Sequence, residues 1–167
     1  MIIIGTAPGR EAWLADCLAS IPGDVIVVRC DGYEPGKIKW VLDHTNIDRF
    51  WFLQDSVVIH DPTFLTVGLN VTGATSLCAC PREYGSFMGV YDRHILEQVG
   101  IEPAQTKADA IAMEISWTSA YVQAAGGCAV MFPDLSDANA TGIEPRHGRE
   151  NLVLSNEAIT KYKGTWK

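Results

Sequence analysis

The sequence has no long apolar run and few basic residues. No segment approaches the roughly 20 apolar residues that cross a bilayer, so we expect no membrane span. Lysine and arginine number 13 against 20 acidic residues, and the formal net charge is −7. That balance argues against tight binding to a nucleic-acid backbone, which depends on clustered positive charge. The first residues also lack the basic leader of a signal peptide, which predicts a cytoplasmic protein.

The cysteines form no recognisable framework, and several common motifs are missing. The five cysteines are an odd number dispersed in apolar surroundings, which does not indicate a disulfide framework. The close pair Cys78 and Cys80 has no second cysteine pair or histidine nearby, which disfavours a zinc site. Residues 6–10 form neither a P-loop nor a GxGxxG motif, and no GxSxG occurs. These absences disfavour simple NTP hydrolysis, a Rossmann cofactor site and an α/β-hydrolase.

The first third of the chain alternates apolar runs with helical periodicity. Continuous apolar runs at residues 2–5, 25–28 and 50–53 predict strands that are covered on both faces. Between them, residues 11–21 and 37–44 have apolar positions at helical spacing. This order, with short links, predicts a parallel sheet with right-handed crossovers. The length of 167 residues suits one α/β domain.

The rest of the chain has a less regular pattern. The predictions are strands at 74–80 and 128–132, helices at 93–99 and 107–125, an ambiguous element at 64–71, a loop at 136–150, and a short helix from 157 leading into a basic tail. A polar loop as long as 136–150 is often functional in a compact domain.

Asp55 interrupts the most apolar segment of the chain, between the runs 50–53 and 57–59. A buried strand that ends in a carboxylate commonly presents a metal ligand or a nucleotide contact at the edge of an open α/β sheet. An unpaired buried carboxylate would be costly. A solvated aspartate in a turn gives the same pattern, so the residues alone leave both interpretations open. The same alternatives apply to Asp31, which follows the second strand.

Five segments occur in an order that matches a known family. They are residues 2–10 (IIIGTAPGR), 13–21 (WLADCLASI), 53–57 (LQDSV), 85–93 (GSFMGVYDR) and 109–117 (DAIAMEISW). In this order they resemble GT-A glycosyltransferases of the family 2 type: a first strand with its turn and arginine, a leucine-rich helix, the position of the DxD motif, the acceptor-side strand and loop, and the helix with the catalytic acid. The DxD position carries a single acid here.

The resemblance implies a nucleotide site formed by Thr6, Arg10, Asp31, Gln54 and Asp55. It implies that Asp55 holds a divalent cation, Mn²⁺ or Mg²⁺, on the diphosphate of a sugar donor. Hard divalent ions prefer several oxygen ligands, so neighbouring side-chain oxygens, water and the donor phosphates would complete the shell.

The late polar segment supplies further candidates. By resemblance, His147 is the second metal ligand, and a solvated loop histidine is the alternative. Arg146 and Arg149 flank it and are suited to contact a diphosphate. The basic tail with Lys161, Lys163 and Lys167 is expected either to fold over the donor as a lid or to be a plain solvated tail.

Glu114 is the expected general base. It stands in an apolar stretch, residues 110–115, where desolvation would raise its pKa and suit it to proton transfer. The alternative is a surface residue on an amphipathic helix. The competing acid, Asp109, has the position of a first-turn residue stabilised by the helix dipole.

Together these expectations predict an enzyme that transfers a sugar from a nucleotide diphosphate sugar, with UDP as the nucleotide by family habit, to an acceptor hydroxyl with inversion. The acceptor could be a glycan, a protein, a lipid or a modified nucleobase. The predicted GT-A-like domain covers residues 1–167, with a nucleotide-binding half (1–60), an acceptor-side half (61–135) and a C-terminal loop and tail (136–167). The rivals are a non-catalytic binding module with a degenerate GT-A site and a nucleotidyltransferase.

Overall fold

A computed structural model describes residues 1–78 and 87–164. The elements are β1 (Ile2–Gly5), α1 (Glu11–Ser20), β2 (Val25–Val28), α2 (Tyr33–His44), β3 (Arg49–Gln54), β4 (Val57–Ile59), α3 (Thr63–Asn70), β5 (Ala74–Cys78), β6 (Gly89–Asp92), α4 (Arg93–Val99), α5 (Lys107–Ala124), β7 (Cys128–Phe132), β8 (Gly142–Arg146), β9 (Arg149–Ser155) and β10 (Ile159–Gly164). The protein is therefore α/β, as the sequence predicts.

The central sheet has six strands in the order β2-β1-β3-β6-β5-β7. β1 pairs in parallel with both β2 and β3, which confirms the predicted parallel arrangement of the first three strands. β6 is antiparallel to both of its neighbours, while β5 and β7 are parallel. The sheet is therefore mixed, with one reversed strand inside it.

The two faces of the central sheet carry separate hydrophobic clusters. Ile2 and Ile4 of β1 pack on the face that α1 covers through Cys17, whereas Ile3 packs on the opposite face with Ile38 of α2. The chain thus crosses one face between β1 and β2 and the other face between β2 and β3. In open α/β sheets, such a change of face leaves a crevice at the carboxyl ends of the strands. Here the crevice lies between β1 and β3.

A second sheet corrects the predictions for the C-terminal segment. Residues 136–150, predicted as a loop, contain a short 3₁₀ turn and β8, and β9 begins at Arg149. The predicted helix after residue 157 is wrong, because β10 occupies that position and pairs with β9 and β4. The four strands lie in the order β4-β10-β9-β8. Pairing with β4, a strand about 100 residues earlier in the chain, overrides the local sequence signal.

Smaller corrections concern element ends. α2 begins at Tyr33, four residues before the predicted start, since Pro35 is tolerated in a first helical turn. The ambiguous segment 64–71 is mostly α3. The last two residues of the predicted strand 74–80, the first two of the acceptor-side segment 85–93 and the final three of the basic tail lie outside the described residues. Among the described helices, none is long and apolar enough to span a bilayer.

Candidate functional site

A cavity of about 880 Å³ lies at the carboxyl ends of β1 and β3. Its wall is formed by Gly5, Thr6, Ala7, Arg10, Glu34, Lys37, Gln54, Asp55, Ser56, Lys107, Gly148, Arg149, Glu150, Lys161, Tyr162, Lys163 and Gly164. These residues come from the carboxyl ends of β1 and β3 and the segments that follow them, the first two turns of α2, the start of α5, the β8–β9 hairpin and β10. The size is typical of a small-molecule site.

The cavity wall is basic although the protein is acidic. Six of the 13 lysines and arginines line it, whereas only three of the 20 acidic residues do. A concave surface with this charge balance raises the local concentration of anions. The cavity is therefore suited to an anionic ligand.

Asp55 is held by a hydrogen-bonded ion pair at the edge of the cavity. The Arg10 Nε donates to Asp55 Oδ1 at 2.9 Å and to Oδ2 at 2.7 Å, and Arg10 Nη2 donates to Oδ1 at 2.5 Å. The Thr6 hydroxyl donates to Oδ2 at 2.7 Å. The Asp55 side chain is 3% exposed and that of Arg10 is 28% exposed. The carboxylate that the sequence singles out is thus buried and already neutralised.

Gln54 links the side chains of Glu34 and Lys161 next to this pair. Its amide nitrogen donates to Glu34 Oε1 at 2.9 Å, and its amide oxygen accepts from Lys161 Nζ at 2.6 Å. Lys161 Nζ also donates to the Ser56 hydroxyl. Burial lowers the pKa of Lys161 from its ordinary value of 10.5 to about 8, with the nearby Arg10 guanidinium acting in the same direction. Lys161, predicted as part of a lid or a solvated tail, is instead a buried residue of the cavity wall.

Lys37 enters the cavity wall from α2 across the end of β1. Gly5 makes this approach possible, because a Cβ at that position would stand 2.8 Å from Lys37 Cδ and 2.6 Å from Phe52 Cζ. Lys37 is 6% exposed. The glycine at the end of β1 therefore fixes where the lysine stem runs.

The substitution Gly5→Ala is expected to lower the free energy of unfolding by about 1–3 kcal/mol, because the added methyl overpacks against Phe52 and the Lys37 stem. Urea unfolding followed by circular dichroism measures this loss. Gly142→Ala is the matched control, since a Cβ at Gly142 meets nothing within 4 Å. Equal midpoints for the two variants would contradict the close packing at Gly5.

The structure brings most of the predicted nucleotide-binding residues together. Thr6, Arg10, Gln54, Asp55 and Arg149 all line the cavity. Asp31 does not line it. Its side chain is exposed, and its backbone carbonyl lies against Gly36, where a Cβ would stand 2.2 Å from the oxygen.

His147 lies at the tip of the β8–β9 hairpin and faces α1. Its φ of 50° and that of Gly148, 74°, fit a two-residue hairpin turn. His147 Nε2 lies 2.7 Å from Asp16 Oδ2, and Arg146 Nη2 donates to the same oxygen at 2.5 Å. Trp13 contacts the imidazole edge-on at 4.9 Å between ring centroids. His147 therefore docks the hairpin on α1, and it does not line the cavity.

The donor groups around Asp55 do not fit the predicted divalent cation. Both oxygens of Asp55 accept hydrogen bonds from Arg10, and His147 is bound to Asp16. Within residues 1–78 and 87–164, no group of three or more His, Cys, Asp or Glu side chains is placed to hold a metal ion. A hard cation needs several oxygen ligands, and this arrangement does not provide them.

Glu114 lies on α5 beside the cavity but not in its wall. Burial raises the pKa of Glu114, and the Glu34 carboxylate raises it further, whereas Lys163 and Lys161 lower it. Three of these neighbours are residues of the cavity wall. The Glu114 carboxylate thus interacts electrostatically with residues of the cavity wall. It is protonated more readily than the carboxylate of an exposed glutamate.

Lys37 and Glu34 are site residues that the sequence interpretation missed. Both belong to α2, whose predicted start at residue 37 excluded Glu34 and left Lys37 at a frayed end. Lys37 stands one turn before Val41, which is fully buried. The signal that could have identified Lys37 was its position, since it is a lysine on the buried face of the helix that follows the second strand.

The comparisons with known proteins give no family for this chain. A scan against protein-family models finds no match, and a search of the curated proteins finds none either. The functional interpretation therefore depends on the geometry and charge of the cavity.

Proposed function

We propose that the protein is a glycosyltransferase that transfers a sugar from a nucleotide diphosphate sugar to an acceptor hydroxyl. The observation that carries this proposal is the basic cavity at the carboxyl ends of β1 and β3, where the chain changes from one sheet face to the other. Nucleotides bind at such positions in open α/β sheets. A diphosphate is the part of the donor that six basic residues would attract.

The arrangement of the sheets is compatible with a GT-A-like domain. The nucleotide-binding half would comprise the parallel strands β1, β2 and β3, followed by a mixed half with the reversed strand β6. The small second sheet closes the cavity from the side of β10. UDP is the proposed nucleotide only by the habit of the family that the sequence resembles, and the proposed site of action is the cytoplasm.

The proposed reaction needs a proton acceptor and a stabilised leaving group. The acceptor hydroxyl would give its proton to the Glu114 carboxylate while its oxygen forms a bond to the anomeric carbon of the sugar. The bond from that carbon to the diphosphate oxygen breaks, and its electron pair stays on the departing nucleoside diphosphate. The basic residues of the cavity would stabilise the charge that develops there. No step is assigned to Mn²⁺ or Mg²⁺, because the described residues offer no ligand set for either ion.

The substitution Glu114→Gln is expected to reduce kcat about 100-fold, because the amide cannot accept the acceptor proton. The donor KM should stay within about twofold, since Glu114 does not line the cavity. Release of UDP from a panel of UDP-sugars, with and without candidate acceptors, measures both constants. Glu102→Gln, an exposed acid outside the cavity, is the control. Unchanged turnover in Glu114→Gln would remove Glu114 from the mechanism.

The second candidate is a binding module that holds a nucleotide or a glycan without turnover. Its supporting observation is that Arg10 donates hydrogen bonds to both carboxylate oxygens of Asp55, the acid at the DxD position. Donor binding without UDP release, across the full sugar panel, would favour this candidate. Release of pyrophosphate from a nucleoside triphosphate would instead favour a nucleotidyltransferase.

A further inference from the structure

Two buried lysines in the cavity wall have no negatively charged partner. Lys37 is 6% exposed and Lys161 is 4% exposed. Within the described part of the chain, Lys37 makes no hydrogen bond or ion pair, and Lys161 bonds only to the neutral side chains of Gln54 and Ser56. Burying an ammonium group without a counter-charge is costly. A bound anion would offset that cost.

Two acids of the cavity wall are engaged elsewhere. Asp55 is bound on both oxygens by Arg10, and Glu34 accepts a hydrogen bond from the Gln54 amide. Neither lies within ion-pair distance of Lys37 or Lys161. The Arg10 guanidinium is therefore paired with Asp55 within the protein. The ammonium groups of Lys37 and Lys161 remain available to bind a ligand.

We infer that Lys37 and Lys161 bind the diphosphate of the donor directly and that this binding needs no divalent cation. The inference rests on the proposed donor class, a nucleotide diphosphate sugar. In a metal-dependent site, a divalent cation balances the charge of the diphosphate. Here two ammonium groups supply a similar compensation, and the Arg10–Asp55 pair at the DxD position shapes the edge of the cavity instead of ligating a metal.

The same two lysines would act on the leaving group. When the bond between the anomeric carbon and the diphosphate oxygen breaks, the electron pair remains on that oxygen and adds one negative charge. Ammonium groups already in place stabilise this charge without rearrangement of solvent. The step requires no proton transfer to the diphosphate and no co-reactant.

Isothermal titration with UDP and, separately, with inorganic pyrophosphate tests the inference. Each titration is run in EDTA and again with Mn²⁺. We expect the two UDP dissociation constants to agree within about twofold, because the protein supplies the compensating charge itself. Pyrophosphate should bind in EDTA as well, since it retains the group that the lysines contact.

Lys37→Met and Lys161→Met are each expected to weaken UDP binding in EDTA by roughly 10-fold to 100-fold, the usual effect of losing a charge-assisted hydrogen bond. Methionine keeps most of the aliphatic stem. The matched control is Lys39→Met on the same helix, where Lys39 pairs with Asp43 outside the cavity wall. The melting temperatures of the free Lys37→Met and Lys161→Met variants should stay equal to wild type or rise, because each substitution removes an unpaired buried cation.

The outcomes separate this inference from the proposed activity. UDP binding that appears only with Mn²⁺ would overturn the inference and leave glycosyl transfer standing. Metal-free binding that both lysine variants lose, without UDP release from any UDP-sugar, would support the inference and remove the transferase activity. No binding of UDP or pyrophosphate under either condition would overturn both. Unchanged UDP affinity in Lys37→Met and Lys161→Met would overturn the inference alone and leave glycosyl transfer standing.

Discussion

The substitution Arg10→Met is expected to lower the free energy of unfolding by about 3 kcal/mol, because it leaves the Asp55 carboxylate buried with the Thr6 hydroxyl as its remaining side-chain partner. Asp55→Asn should cost less, about 1–2 kcal/mol. Asparagine keeps an oxygen for the two donors, and the Arg10 side chain is 28% exposed and can turn toward water in the cavity. Removing either partner of the ion pair therefore costs a different amount of stability, because only the Asp55 side chain is almost fully buried.

Chemical denaturation of the two variants at pH 7 measures this difference. The control is Arg29→Met, which breaks an ion pair with Glu11 in which both side chains are well exposed. Such a pair contributes at most about 1 kcal/mol. A loss in Asp55→Asn as large as that in Arg10→Met would mean that the carboxylate charge is not the group that requires compensation. The ion pair would then not be the anchor at the edge of the cavity.

Much of the central sheet was predictable because its signals are local. β2 and β7 have the bounds that the apolar runs predict, and α1 ends one residue early. The second sheet was not predictable in the same way. β10 contains Lys161 and Lys163 at alternate positions, which by local pattern indicate a solvated tail. Its strand conformation comes from pairing with β4 and β9, and no local window contains that information.

For the site as well, the sequence showed features that depend on neighbouring residues and missed those that depend on distant contacts. Asp55 stood out because it ends a buried strand, and the resemblance to a known family supplied Thr6, Arg10 and Gln54; all four line the cavity. What the sequence could not show is that Arg10 and Asp55 bind each other, across 45 positions of the chain. That contact engages both carboxylate oxygens of Asp55. The proposed diphosphate contacts therefore move to lysines.

The affinity for UDP in EDTA is expected to fall about 30-fold between pH 7 and pH 9.5, because binding needs the charged form of Lys161. Burial lowers the pKa of this lysine to about 8. A phosphate monoester has its second pKa near 6, so the terminal phosphate of UDP is mostly dianionic at pH 7 and above and the ligand keeps its charge over this range. The groups that act on the Lys161 ammonium are Cys78, Arg10, Asp55 and Lys163, together with its hydrogen-bond partners Gln54 and Ser56.

The loss of affinity at high pH does not come from unfolding of the protein when Lys161 loses its proton. The pKa of Lys161 is lower in the folded protein than the ordinary 10.5, so the unfolded chain binds more protons between about pH 8 and 10.5. The contribution of Lys161 to folding stability therefore rises with pH in that window. Circular dichroism at each pH checks that the fold is retained while the affinity falls.

The variant Lys161→Arg separates the titration of one residue from a general effect of alkaline pH. A guanidinium stays protonated throughout this range, so its UDP affinity should change less than about threefold from pH 7 to 9.5. Lys161→Met should bind weakly and equally at both pH values, because it has no charge to lose. A wild-type affinity that is flat with pH, or an equal fall in wild type and Lys161→Arg, would show that the ligand charge is compensated elsewhere in the cavity. This pH dependence rests on the ammonium of Lys161, because burial lowers its pKa to about 8, inside the pH range of the titration.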